Sequence, residues 1–301
     1  MSKEILVTGG SGTLGKALQN ILEDAYYVNS SDFDLTNEEA VKRMFFEMKP
    51  FTVIHTAALV GGIIDNINRP QQYFSDNITI DSLMLRFALG YSVTAFTGIL
   101  STCAYPDVVS EYPMTEEMLH AGPPAATNFS YGYAKRAMAV HIDACNQQYG
   151  TRYNYLIPCN LYSGNQYKDP NKAHFLDTLI QKIRFAQDNG QSWINLMGTG
   201  IAKRQFMLAD DFARVIKLVV EQGITESFNV CPDENLTIRE IVDIALKACG
   251  ATYLKVNWDA SKPDGQLNKE ASNAKFKTIL PDFKFTSLEQ GIKKAYEKGI
   301  N

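Results

Sequence analysis

A run of glycines between a strand and a helix constrains this chain more than any other feature. Val7-Thr8-Gly9-Gly10-Ser11-Gly12-Thr13-Leu14-Gly15 continues the apolar run Ile5-Leu6-Val7 and opens a helical segment from about Leu14. Glycines at 9, 12 and 15 permit a tight turn, a close backbone approach to a pyrophosphate and close packing of helix on strand. The pattern predicts a dinucleotide crevice opening a doubly wound α/β fold. Gly9, Gly10, Ser11, Gly12, Thr13, Leu14 and Gly15 form its phosphate-binding turn.

The rest of the first half suits that fold. β-rich runs at Glu4–Thr8, Tyr26–Asn29, Thr52–His55 and Thr94–Leu100 alternate with helices from about Leu14 and Asn37. Such alternation predicts a parallel sheet with helices on both faces and ligands at the carboxyl ends of the strands. After Tyr153–Ile157 the regularity weakens, residues 162–173 read as a loop, and a helix resumes near His174. Thr237 is placed to N-cap a helix to about Cys249, and a last helix runs from about Ser287 to Glu297. The expected organisation is a cofactor-binding Rossmann domain over 1–165, rejoined around 200–232, and a smaller C-terminal α/β substrate lobe over 166–301.

Composition narrows the function. A formal net charge of −4 over 301 residues gives no footprint for nucleic acid or an anionic membrane. The most apolar stretch, Leu83–Leu100, is broken by Arg86, Gly90, Ser92 and Gly98 and is not a membrane span. The start at Met1-Ser2-Lys3-Glu4 leaves no room for a signal peptide before the first strand, so a cytoplasmic location is expected. Five cysteines without a CxxC pair argue against a disulfide framework, and four histidines without ligand spacing argue against a metal.

The second strand ends Val28-Asn29-Ser30-Ser31-Asp32-Phe33-Asp34. Asp34 could bond a ribose hydroxyl, and Ser30 and Ser31 a 2′-phosphate, but no Lys or Arg stands beside them, so NADP(H) and NAD(H) both remain open here. Ala57 and Ala58 end the third strand with the small side chains a cofactor's border requires, whereas His55 reads as a packed or locally bonded histidine.

Proton-transfer groups come next. Tyr131-Gly-Tyr-Ala-Lys135 falls in a helix over 130–148, which sets Tyr131 and Lys135 one turn apart on one face. An ammonium there would lower the phenol's pKa and suit proton exchange with a carbonyl. Ser101, at the end of the fourth strand, would orient that carbonyl. If the strand continues, Cys103 shares its side.

Together these motifs resemble an extended short-chain dehydrogenase/reductase, which implies a Rossmann fold, NADP-dependent hydride chemistry and a homodimer. HTAALVGG (55–62), STCAYPD (101–107), HAGPP (120–124), YGYAKR (131–136), PCNLYSG (158–164), GTGIAKRQF (198–206) and SKPDG (261–265) are similar to one branch of that family. Members of that branch epimerise GDP-4-keto-6-deoxy-D-mannose at C3 and C5 and then reduce it at C4 with NADPH to GDP-L-fucose. The resemblance implies Ser101, Cys103, Tyr131, Lys135 and His174 as catalytic, with Cys103 and His174 as the opposed base and acid. It extends the cofactor contacts to Asp34, Ala57, Ala58, Tyr131, Lys135, Pro158, Asn160, Leu161 and His174. It places the sugar nucleotide on Lys182, Met197, Arg204 and Asp264, with Met197 where the branch usually carries tryptophan. A 4,6-dehydratase would need a Thr-Asp-Glu triplet where this chain has Thr102-Cys103-Ala104. A simple 4-epimerase would need neither Cys103 nor His174. A non-catalytic nucleotide-binding protein would not need Ser101, Tyr131 and Lys135.

Overall fold

The structure is a computed structural model and describes residues 4–164, 174–262 and 264–298. Most of the loop expected over 162–173 lies outside those residues. The chain begins β1 (Ile5–Thr8), α1 (Thr13–Gln19), β2 (Tyr26–Val28), α2 (Glu38–Met48), β3 (Thr52–His55), α3 (Ile63–Asn68), α4 (Pro70–Gly90) and β4 (Ala95–Ile99). It continues α5 (Phe129–Tyr149), β5 (Asn154–Pro158), β6 (Asn160–Tyr162), α6 (Phe175–Asp188), β7 (Trp193–Met197), β8 (Lys203–Arg204), β9 (Phe206–Leu208) and α7 (Ala209–Gln222). The last elements are β10 (Phe228–Val230), β11 (Leu236–Thr237), α8 (Ile238–Ala248), β12 (Lys255–Asp259), β13 (Asn268–Lys269), α9 (Ala274–Ile279) and α10 (Leu288–Lys298).

Six parallel strands in the order β10-β5-β4-β3-β1-β2 form the central sheet. The doubly wound expectation is met, and the order reverses beside β1. Thr8 lies level with His55 and His55 with Gly98, so β1, β3 and β4 end along one rim. Apolar residues of α2, α4 and α5 bury one face of the sheet, among them Phe45, Met84, Leu85 and Ile142. Leu18, Phe212, Ile216 and Phe276, from α1, α7 and α9, bury the other. A third core joins α6, α8 and α10 to the parallel pair β7 and β12. The cap read from the sequence is present, Thr237 forming a capping box with Glu240, and the structure adds another at α2, where the Asn37 side chain accepts from the Ala40 amide.

Distant segments of the chain are tied together at Gln205, between β8 and β9 and 2% exposed. Its side-chain amide donates to the carbonyls of Pro232 (3.0 Å) and Ala271 (3.1 Å), and its side-chain oxygen accepts the Ala271 amide (2.8 Å). Its main-chain carbonyl accepts the Asn160 side-chain amide at 2.8 Å. Among the described residues no helix is long and apolar enough to cross a membrane, and no group of side chains has the composition of a metal site.

The glycine turn is built as its spacing predicts. Gly9 has φ +73°, and a Cβ at Gly15 would lie 2.2 Å from the Gly9 carbonyl oxygen. Such a clash with backbone cannot be relieved by a rotamer change. Gly15→Ala is expected to destabilise the fold by about 1–3 kcal/mol, the usual cost of overpacking. It should also weaken NADPH binding. Thermal unfolding and a cofactor titration check both; an unchanged Tm would contradict the close approach.

Candidate active site

The rim of β4 is where the proton-transfer groups meet, although not by the expected route. β4 ends at Ile99, and Thr102–Ala104 form a single 3-10 turn rather than continuing the strand. Ser101 caps that turn, its Oγ accepting the Cys103 amide at 3.2 Å. Cys103 therefore reaches Ser101 by curling back, not by strand alternation. α5 holds the turn in place. Gly132 lets the helix approach so closely that a Cβ there would be 2.5 Å from the Cys103 carbonyl oxygen. The Arg136 guanidinium donates to the carbonyls of Ala104 (3.0 Å) and Gly122 (2.8 Å). The Ser101 side chain thereby sits where it acts on both the Cys103 thiol and the Tyr131 phenol, favouring the charged form of each.

A residue invisible to sequence reasoning completes this group. Lys269 Nζ lies 3.3 Å from Cys103 Sγ, across 166 positions of chain. β13 brings it there by pairing with β8, which sets Lys269 level with Arg204. Hydrogen bonds fasten the segment around β13 to the loop after the turn, among them the Met114 amide to the Glu270 carbonyl (2.8 Å), the Gln266 side-chain amide to the Asp107 carbonyl (2.8 Å) and the Tyr112 hydroxyl to the Asn268 carbonyl (3.1 Å). Burial would push the Cys103 thiol up, but Lys269, the Ser101 hydroxyl and Arg204 outweigh it and hold the thiol below its ordinary value. No spacing in the sequence marks Lys269.

Tyr131 departs from expectation in the other direction. Burial, then the charges of Cys103 and Asp81, push its phenol well up, with only the Ser101 hydrogen bond among the main influences pulling down. The Lys135 ammonium is engaged by Asp81 Oδ2 at 3.3 Å. The Tyr73 ring stands edge-on to Tyr131 at 6.3 Å.

The remaining predicted residues lie further along the chain, from the start of α6 to the segment before β13. Arg204 is partly buried, and its charge acts on Cys103 and Asp264. Asp264 folds the 198–200 turn, accepting the Thr199 amide (2.7 Å) and hydroxyl (2.6 Å) and the Gly200 amide (3.3 Å). Lys182 donates to the Asn195 carbonyl of β7 at 2.8 Å, and Met197, at the end of that strand, is 61% exposed. His174 N-caps α6. Burial pushes its imidazole down, with Asp177 partly opposing. Among the described residues no hydrogen bond joins His174 to Cys103 or Tyr131.

The glycine turn fits a dinucleotide. A Cβ at Gly9 would meet the Ala57 amide nitrogen at 3.0 Å, so the backbones of the β1 and β3 ends close on one narrow cradle. No side chain caps α1 at Gly12. Beyond β2, Arg43 of α2 lines the same crevice as Ser30, Ser31 and Asp34, supplying the cation absent from the local sequence. The Asp34 carboxylate is itself bound by the Thr36 amide and hydroxyl, at 2.9 and 2.7 Å. Pro158, Asn160 and Leu161 follow at the end of β5 and along β6.

Comparison with known proteins agrees with this geometry. Residues 5–231 match the NAD dependent epimerase/dehydratase family. The chain is 34% identical over 303 residues to a GDP-L-fucose synthase from Dictyostelium discoideum, covering 97% of this chain and 94% of that one. It is 30% identical over 311 residues to a GDP-L-colitose synthase from Yersinia pseudotuberculosis, covering 99% and 98%. A crystal structure of a GDP-L-fucose synthetase from Naegleria fowleri bound to NADP superposes with a TM-score of 0.85 at 32% identity, covering 97% of this chain and 92% of that one.

If Lys269 is what depresses the thiol, Lys269→Met should raise the Cys103 pKa by about one unit or more, the usual effect of losing an adjacent opposite charge. The pH dependence of iodoacetamide alkylation at Cys103 reads this directly. A midpoint that does not move would remove Lys269 from the thiol's electrostatics.

Proposed function

The chain belongs to the NAD dependent epimerase/dehydratase family, among its GDP-L-fucose synthases, and from that premise we propose that it converts GDP-4-keto-6-deoxy-D-mannose to GDP-L-fucose by epimerising C3 and C5 and then reducing C4. The observation that carries this reading is Lys269 Nζ at 3.3 Å from Cys103 Sγ on the turn capped by Ser101, which pushes the thiol down, while burial pushes the neighbouring Tyr131 phenol up. Environments that drive two titratable groups apart assign one as base and the other as acid.

Cys103, as thiolate, draws the proton from C3 and then from C5, both made acidic by the neighbouring C4 carbonyl. Ser101 and Tyr131 hold the enolate oxygen by hydrogen bonds, which strengthen as charge accumulates there. His174 returns a proton to the opposite face, its protonated form favoured once the anionic diphosphate is bound. NADPH, when bound in the glycine cradle with Arg43 facing its 2′-phosphate, supplies the hydride that C4 receives. Tyr131, still carrying its proton, gives it to the C4 alkoxide, with Lys135 one helical turn away. Lys182 and Arg204 meet the sugar diphosphate, Met197 contacts the sugar nucleotide, and Asp264 fixes the turn beside them. Residues 1–165 with the return at 200–232 bind the cofactor, and 166–301 mainly bind the substrate. Two copies pair through α4 and α5, whose outer surfaces expose Phe74 (44%) and Val140 (53%). The free thiols suit a reducing cytoplasm.

The colitose synthase relative favours one second reading, the same chemistry on a different GDP-linked sugar. Incubation with GDP-4-keto-6-deoxy-D-mannose and either NADPH or NADH should yield GDP-L-fucose, with NADPH preferred. No oxidation of either cofactor would end the reductase reading, and turnover with another GDP-linked sugar alone would establish the second. Cys103→Ser should abolish solvent deuterium uptake at C3 and C5 while NADPH still binds; exchange at the wild-type rate would take the thiol out of the mechanism.

A further inference from the structure

Behind the site lies a sealed chain of polar side chains that the proposed mechanism leaves unused. Thr8, His55, Asp81 and Lys135 come from β1, β3, α4 and α5 and are 0%, 0%, 2% and 1% exposed. Thr8 Oγ1 is 2.8 Å from His55 Nδ1, His55 Nε2 is 3.0 Å from Asp81 Oδ1, and Lys135 Nζ is 3.3 Å from Asp81 Oδ2. The Ala57 amide donates to Thr8 Oγ1 at 3.2 Å.

The donors and acceptors fix one arrangement. The Asp81 carboxylate can only accept, so His55 Nε2 must carry a hydrogen; burial disfavours a second one on Nδ1, which therefore accepts from the Thr8 hydroxyl. The neutral imidazole then carries its hydrogen on Nε2 and gives it to Asp81. The carboxylate thus accepts from the imidazole on Oδ1 and from the ammonium on Oδ2 at 3.3 Å, with a longer contact of the ammonium to Oδ1 at 3.5 Å. A buried ammonium needs a counter-charge, but that need alone does not require the histidine and threonine behind it. They orient the carboxylate and end the chain at Ala57, whose amide borders the glycine cradle.

We propose that Asp81 is a positioning residue which, braced by His55 and Thr8, holds the Lys135 ammonium and offsets its charge at Tyr131, so that the phenol keeps the proton it must donate. The proposal rests on the reading of Tyr131 as proton donor. Facing Asp81 are His55 from β3, Lys135, Tyr131 and the more distant His141 from α5, and Thr8 from β1. Facing Tyr131 are Cys103 and Ser101 from the turn after β4, and Tyr73 and Asp81 from α4. Tyr73 is bonded in turn to Asp65 at 2.6 Å, and Lys269 and Arg204 bear on Cys103. The upward push of Asp81 on the phenol has the sign this role needs.

The experiment is the pH profile of NADPH oxidation. In Asp81→Asn the alkaline limb, where Tyr131 loses its proton, should move down by about one pH unit or more, because the ammonium is no longer offset. His55→Gln keeps the carboxylate's charge and a donor to it, so its limb should stay within about half a unit of wild type, inside the weaker effect of a neutral partner. A uniform loss of rate in both variants with unmoved limbs would mean a structural role only and overturns the proposal. Tyr131→Phe separates the premise: full reductase activity there would sink the reading of Tyr131 itself, whereas a dead Tyr131→Phe with an unmoved Asp81→Asn limb would sink only the role of Asp81. Should Asp81→Asn fail to fold, nitrogen-15 spectra of the wild-type imidazole decide. A neutral Nε2–H tautomer throughout the active pH range supports the assigned network, and a His55 that titrates within that range overturns it.

Discussion

Gln205 is the buried residue on which the register of several distant segments depends. One buried amide bonds the ends of two separate segments, Pro232 and Ala271, and bonds Ala271 in both directions. Leaving a buried donor or acceptor unmet costs about 1–3 kcal/mol, so the strap that begins at Gln266 has one favourable register against the sheet. That register puts β13 beside β8 and aligns Lys269 with Arg204 over the rim of β4. The parallel sheet supplies the other half of the constraint by ending β1, β3 and β4 together.

Electrostatics at the rim follow from which element brings which charge. Basic side chains arrive from β8 and β13 and act on Cys103, whereas burial first, then the Cys103 charge and the acidic Asp81 of α4, act on Tyr131. Both reacting groups neighbour Ser101, yet they are biased oppositely because the cations bear on the thiol and the burial on the phenol. A single loop carrying all these residues could hardly separate the two fields.

Legibility in the sequence tracks how local each determinant is. The glycine turn and the pair Tyr131 and Lys135 are short-range patterns whose geometry follows from one strand, one helix and their spacing. Ser101 and Cys103 are visible too, but through a strand argument that the 3-10 turn overrides; the closeness of Gly132 to the Cys103 carbonyl dictates that turn. Arg43 is hidden because it sits on the helix after β2, and Lys269 because no pattern spans 166 residues. Asp81 leaves a readable trace: Tyr73, Asn77 and Asp81 recur every fourth residue on the face that α4 continues with Met84, Leu85 and Ala88, all buried. Polar residues in register with a buried stripe mark partners inside the fold.

The contact between Lys269 and Cys103 also bears on how the chain matures. The cation beside the thiol is supplied by β13, 166 positions further along the chain, and is in place only when β13 is paired with β8. A chain without that pairing therefore presents five ordinary thiols, and heightened nucleophilicity at one of them arrives with the pairing. Selective alkylation of that sulfur is thus a signature of finished molecules, and unfinished ones are spared the side reactions of an exposed thiolate.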